Sequence, residues 1–257
     1  MKRLLSALLL TLGFFALLTP LQAQRIHDGE SLLTAMHDRY ANSWYDNVIF
    51  KENAITLKPD GATSTEVWDE ALVIPGKLRI DRGQHSEGNG FVFNDGSLTV
   101  FKNGQPAGPR PFVHVLLVLG FDVYKQPVAT TVAILKARGI DLAQMHEEKW
   151  QGEDVYVVGA AQGDLKSRQF WVEKKRLLFV RVLEPNEEDA TKINDSRFRG
   201  YKTLGGGWLS ERVEFYVGGK NTFNEDYFDV RANVKLDPAL FDPAKYAQTT
   251  LNSVFAK

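Results

Sequence analysis

The chain has 257 residues, 44% hydrophobic and 25% charged, a composition that excludes a largely disordered chain and a multi-span membrane protein. Its 31 Lys and Arg residues balance 32 Asp and Glu, so there is no basic excess to neutralise phosphates, and nucleic acid is not an expected partner. The absence of cysteine removes disulfides, Fe–S clusters, Cys-based zinc sites and thiol nucleophiles together.

The N-terminus carries a secretion pattern. Lys2 and Arg3 precede an apolar run from Leu4 to Leu18, Thr19-Pro20 breaks it, and Ala23 supplies a small residue for cleavage. That run is shorter than the roughly 20 residues needed to cross hydrocarbon. Residues 1–23 are therefore expected to be a cleaved signal peptide, leaving residues 24–257 as one domain. No cysteine follows Ala23 for lipidation, so the expected destination is the bacterial periplasm, without a lipid anchor.

Beyond the cut, Leu32, Leu33, Met36 and Tyr40 form a single apolar stripe, which predicts a helix across 29–44. From Asp46 the period changes to two. Leu78 and Ile80, Val155 and Val157, and Leu177 and Phe179 each alternate with polar neighbours. So do Val230, Ala232, Val234 and Leu236 near the end. Asp95-Gly96, Asn103-Gly104 and Gln151-Gly152 sit between such runs, as tight hairpin turns require. The pattern predicts about ten half-buried strands in an up-and-down antiparallel sheet, and a sheet of that width must curl. One stretch breaks the rhythm. Phe112–Leu119 is densely apolar and Pro127–Gly139 has helical spacing, so a helical insertion is expected in mid-chain as a plug or a lid.

Motifs for catalysis are missing. His146-Glu147-Glu148 lacks the second His of a zinc helix, and Gly88-Asn89-Gly90 precedes a strand rather than a helix. No Gly-x-Ser-x-Gly elbow occurs. Neither an enzyme, a cofactor nor a metal site is expected. His114, within the apolar run, is expected to be a core residue. Large apolar residues spread over many strands are the better signal: Trp68, Leu78, Ile80, Phe91, Phe93 and Phe170 are expected to share one concavity, which must be filled by the inserted helices or by a ligand.

Ile74-Pro75-Gly76-Lys77-Leu78-Arg79-Ile80, followed by Asn94-Asp95-Gly96-Ser97-Leu98, resembles the family of periplasmic lipoprotein carriers of the LolA type. The order of elements resembles it as well, with a helix before a long first strand, a central helical insertion, and a last strand leading into Phe241-Asp242-Pro243. The resemblance implies an unclosed barrel of ten or eleven strands around an apolar cavity. It also implies a lid of helices, here Val115, Leu119, Val132 and Leu135 closing against Ile74. The implied partners are a lipid or acylated protein, an inner-membrane transporter and an outer-membrane acceptor. Where those carriers place an Arg that latches the lid, this chain has Ile74, so closure by apolar contact alone, without a polar latch, is expected. The alternative is an envelope interaction module with a filled core and no lipid.

Overall fold

A computed structural model describes residues 25–256; the signal-peptide expectation falls on residues outside these. The first helix, α1 (Gly29–Tyr40), starts at a capping box in which Asp28 and Ser31 satisfy each other's backbone N–H groups. The first meander follows: β1 (Asn47–Leu57), β2 (Thr63–Val73), β3 (Lys77–Arg82), β4 (Asn89–Asn94), β5 (Ser97–Lys102) and β6 (Gln105–Pro111). The insertion contains α2 (Val115–Gly120) and α3 (Val128–Ala137). A second run comprises β7 (Met145–Trp150), β8 (Glu153–Val158), β9 (Gln169–Glu173), β10 (Leu178–Pro185), β11 (Ile193–Arg199), β12 (Lys202–Leu204), β13 (Gly207–Leu209), β14 (Arg212–Val217) and β15 (Lys220–Ala232), and α4 (Asn252–Phe255) closes the chain.

Thirteen strands form one antiparallel sheet in the order β6-β5-β4-β3-β2-β1-β15-β14-β11-β10-β9-β8-β7, with β12 and β13 as a separate ribbon. The architecture is mainly β, curved and unclosed. The sheet is wider than the roughly ten strands expected from patterning, in part because neither outer strand alternates. β6 contains three prolines and is exposed throughout, and β7 is polar along most of its length. Pairing of β1 with β15 joins the two meanders at the centre. The insertion therefore connects the two free edges, β6 and β7, and must cross the mouth of the curved sheet.

The sheet is not wet on one side. On the inner face, α1, α2 and α3 pack into one continuous apolar cluster with β3, β4, β9, β10 and β11. Trp44 stacks on Tyr124 at 3.9 Å between ring centres, and the Tyr124 hydroxyl accepts a hydrogen bond from the Phe179 N–H. On the outer face, the segment after β15 lies back across the first meander. Leu240, Phe241 and Leu251 cover Ile49 and Ala71, and Tyr246 stacks on Phe101 at 3.8 Å. Here the patterning over-reached. β15 ends at Ala232, and Val234 and Leu236 pack against the outer cluster instead of continuing a strand. Asn233 adopts positive φ, its side chain accepts from the Asp46 N–H, and Asn47 accepts from the Val234 N–H. These side-chain bonds replace the ladder and turn the chain out of the sheet.

Arg79 holds that returning segment. Fully buried, it forms a bidentate pair with Asp81 (2.7 and 3.2 Å) and donates to the carbonyls of Leu240, Tyr246 and Thr249. The Pro-x-x-Leu-Arg run thus has a structural role: it places a guanidinium where the C-terminal turns need donors.

Candidate functional site

Two cavities lie between the inserted helices and the inner face. The larger, about 430 Å³, is bounded by Phe93 on β4, Phe112 and Val113 before α2, Val118 on α2, and Ile134 on α3. The smaller, about 150 Å³, lies deeper against Leu78, Ile80, Phe121 and Phe215. His114 and Leu117 line both, so the two spaces meet there. Wider clefts beside the His85–Glu87 turn are lined mostly by polar loop residues, with less apolar wall than the larger cavity.

Among solved structures, the chain is similar to an outer membrane lipoprotein-sorting protein domain from Vibrio parahaemolyticus. The TM-score is 0.59 at 14% identity, over 85% of this chain and 98% of that one. A DUF1329 family protein from Desulfovibrio piger aligns with TM-score 0.55 at 16% identity, over 85% and 97%. A LolA superfamily protein from Nitrosomonas europaea aligns with TM-score 0.51 at 14% identity, over 81% and 96%. The fold is LolA-like. No protein-family model and no curated protein sequence matches the chain.

Within this LolA-like fold, the six residues expected to share a concavity all join one apolar cluster, but only some border open space. Leu78 and Ile80 line the deeper cavity and Phe93 the larger one. Trp68, Phe91 and Phe170 line neither. Trp68 sits under the Arg82 guanidinium, and Phe170 is fully buried in packed side chains. Of the lid residues, Ile74, Leu119 and Leu135 are buried and Val115 and Val132 half-buried, all within the same cluster.

The expectation of a lid without a polar latch is overturned. The side chain of Asp122, between α2 and α3, accepts a hydrogen bond from the Gly76 N–H at 3.0 Å, two residues beyond Ile74. Arg138, just after α3, pairs with Glu184 at 2.7 Å, and Lys125 with Asp46 at 2.8 Å. Ile74 cannot donate from its side chain, but the turn it opens supplies a backbone donor to the inserted segment. Burial pushes the Asp122 carboxyl up to about 7; the Gly76 bond pulls it down and Asp95 pushes it up.

Sequence reasoning also missed three carboxyls. Phe50 pairs with Glu70 across β1–β2, while Glu52 pairs with Tyr227 and Ala54 with Glu225 across β1–β15, which puts all of them on the inner face. Glu52 and Glu70 are buried and Glu225 is half-buried; Glu70 and Glu225 line the deeper cavity. Tyr227 donates to Glu225 at 2.8 Å, and neither oxygen of Glu52 has a donor among the described residues. Burial drives both Glu52 and Glu70 far above the usual carboxylate range, reinforced by neighbouring charge: Glu70 and Glu225 act on Glu52, and Glu225 acts on Glu70. Glu225 rises to about 7, again chiefly through burial. A signal existed: Glu52 and Glu70 occupy the apolar parity of strands whose neighbours Phe50 and Leu72 face inward. His114 caps α2 by accepting from the Leu117 N–H at 3.3 Å, and burial pushes it down to about 4, so it is neutral near pH 7.

Proposed function

We propose that this protein is a non-enzymatic envelope carrier that holds the hydrocarbon chain of a lipid or lipidated protein between its inserted helices and its sheet. In this reading residues 1–23 are removed on export and residues 24–257 act as one domain in the periplasm. The donor is an inner-membrane component and the acceptor lies at the outer membrane. The observation that carries the reading is the cleft of about 430 Å³ beneath α2 and α3, apolar along most of its wall and continuous with the deeper cavity at His114 and Leu117. Its volume falls within the range of small-molecule sites, roughly 300–1,000 Å³. Each methylene transferred from water contributes about 0.8 kcal/mol before ordering costs. The Vibrio neighbour is a lipoprotein-sorting domain, and its likeness of fold agrees with this reading.

The test is native mass spectrometry of protein purified from its own envelope, together with titration of a fluorescent fatty acid. Co-purifying lipid and saturable binding that is lost when Ile134→Trp fills the cleft are the expected results. A lipid-free protein with no saturable uptake would refute the carrier. It would favour an interaction module instead, a reading supported by the solid packing of Leu119, Phe170 and Phe179, all fully buried.

A further inference from the structure

Elsewhere among the described residues, deeply buried carboxylates have partners supplied by the chain. Asp81 has Arg79, Glu173 has Arg176, and Asp195 has both Arg181 and Arg197. Asp122 has the Gly76 N–H. The inner-face trio differs: its one donor is the Tyr227 hydroxyl, bound to Glu225. Glu70, 5% exposed, lines the deeper cavity, and no donor among the described residues reaches it. Burying a polar group without a partner costs about 1–3 kcal/mol, more if it is charged, and this sequence uses Arg freely where a partner serves stability.

The surrounding elements do not repair the deficit. On β3, Arg82 stacks over Trp68 at 4.6 Å and pairs with Glu66 at 3.2 Å. On β1, Lys51 has the opposite parity and pairs with Asp69; on β14, Arg212 pairs with Asp226. From the insertion, Arg138 is engaged by Glu184, and His114 already accepts from the Leu117 N–H. The described residues contain no group of three His, Asp or Glu side chains arranged to hold a metal ion. A molecular cation that brings its own N–H donors would meet that deficit.

We propose that Glu70 and Glu225, with Glu52 beside them on the inner face, form a binding site for the primary ammonium head of a long-chain amine, with its hydrocarbon chain in the adjoining apolar cleft. A primary ammonium has three donors and matches a set of acceptors that lacks them. The deeper cavity, about 150 Å³, has the volume of about five water molecules at about 30 Å³ each. That holds an ammonium and its first methylenes, whereas a quaternary head has no N–H to donate. A head carrying phosphate would place a full negative charge in a cavity lined by no Lys or Arg. Leu78, Ile80 and Phe121 then guide the chain toward His114 and Leu117, where the larger cleft begins.

This inference rests on the carrier reading, and one experiment separates their failures. Binding of dodecylamine, dodecanol, dodecanoic acid and dodecyltrimethylammonium is measured by calorimetry at pH 7.5, below the micellar range. The amine is expected to bind at least about tenfold more tightly than each of the others, since one charge-assisted hydrogen bond exceeds the 1.4 kcal/mol that a factor of ten represents. Glu70→Gln and Glu225→Gln, which preserve shape, should each cut that preference about tenfold. Equal binding of all four chains by the parent protein would overturn the ammonium site and leave the carrier intact, whatever the variants do. An amine preference that both Gln variants retain would also overturn the site. If no chain binds at all, the carrier reading fails and the site falls with it.

Discussion

Replacing Arg79 with Met tests whether the outer face is held by one buried guanidinium. The change deletes a bidentate pair with Asp81, bonds to the carbonyls of Leu240, Tyr246 and Thr249, and a 2.6 Å bond to the Thr249 hydroxyl. It also removes the cation 4.3 Å from the Tyr246 ring centre. Asp81, 4% exposed, is left with the Leu251 N–H at 3.3 Å and with His85 nearby. Removing one partner of a buried pair costs about 3–5 kcal/mol, chiefly because the other charge is stranded. With a urea m-value of about 3 kcal/mol/M, a loss of about 4 kcal/mol lowers the unfolding midpoint by about 1.3 M. Proteolysis should at the same time open residues 237–251 first. The double variant Arg79→Met/Asp81→Leu removes the stranded charge and should recover much of the loss. A single variant within about 0.3 M of the parent, an energy of about 1 kcal/mol, would refute the clamp. So would a double variant no more stable than the single one.

Three further outcomes follow from the packing and the charges. Burial raises the Asp122 carboxyl to about 7, so the closed form binds its proton more tightly than a form with the helices lifted into water. Closure is then strongest below the ordinary carboxylate pKa of about 3.9 and weakens as pH rises through 7, by at most about 4 kcal/mol at about 1.36 kcal/mol per pH unit. Hydrogen exchange over residues 115–137, corrected for intrinsic rates, should be faster at pH 8 than at pH 5, and Asp122→Asn should flatten the difference; a flat parent profile would show that opening does not carry Asp122 from burial into water. Gly90→Ala should destabilise by about 2–3 kcal/mol in urea, because a Cβ there meets the Ile80 carbonyl oxygen and the Tyr246 hydroxyl. Phe170→Ala should cost about 3–5 kcal/mol in a closed core, whereas Phe93→Ala, with one side toward the cleft, should cost clearly less; equal losses would mean that Phe93 is packed as tightly as Phe170.

Much of this architecture is local and was legible in the chain. Period-two runs such as Lys77–Arg82 have one face that must be buried, Asp95-Gly96 and Asn103-Gly104 tolerate hairpin turns, and the Leu32–Leu33–Met36–Tyr40 stripe can be satisfied only by a helix. Those features determine the kinds of element and their order, and hence an open antiparallel sheet interrupted by helices. The functional surface has a different origin. Glu52 and Glu225 become neighbours only because β1 pairs with β15, in a register that places Ala54 opposite Glu225. Seen in its own strand, Glu52 is one more polar residue. The latch is hidden for the same reason, since it joins an aspartate between two helices to a backbone N–H in the turn before β3. The C-terminal return is also nonlocal: Val234 and Leu236 keep a strand-like alternation, but the Asn47 side chain takes the Val234 N–H and the Asn233 side chain takes the Asp46 N–H, while Arg79 waits for carbonyls from the far end of the chain. A residue's periodicity states which side must be covered. Which distant segment covers it, and which charges that cover leaves without a partner, depends on strand register and crossover, and only the folded chain decides those.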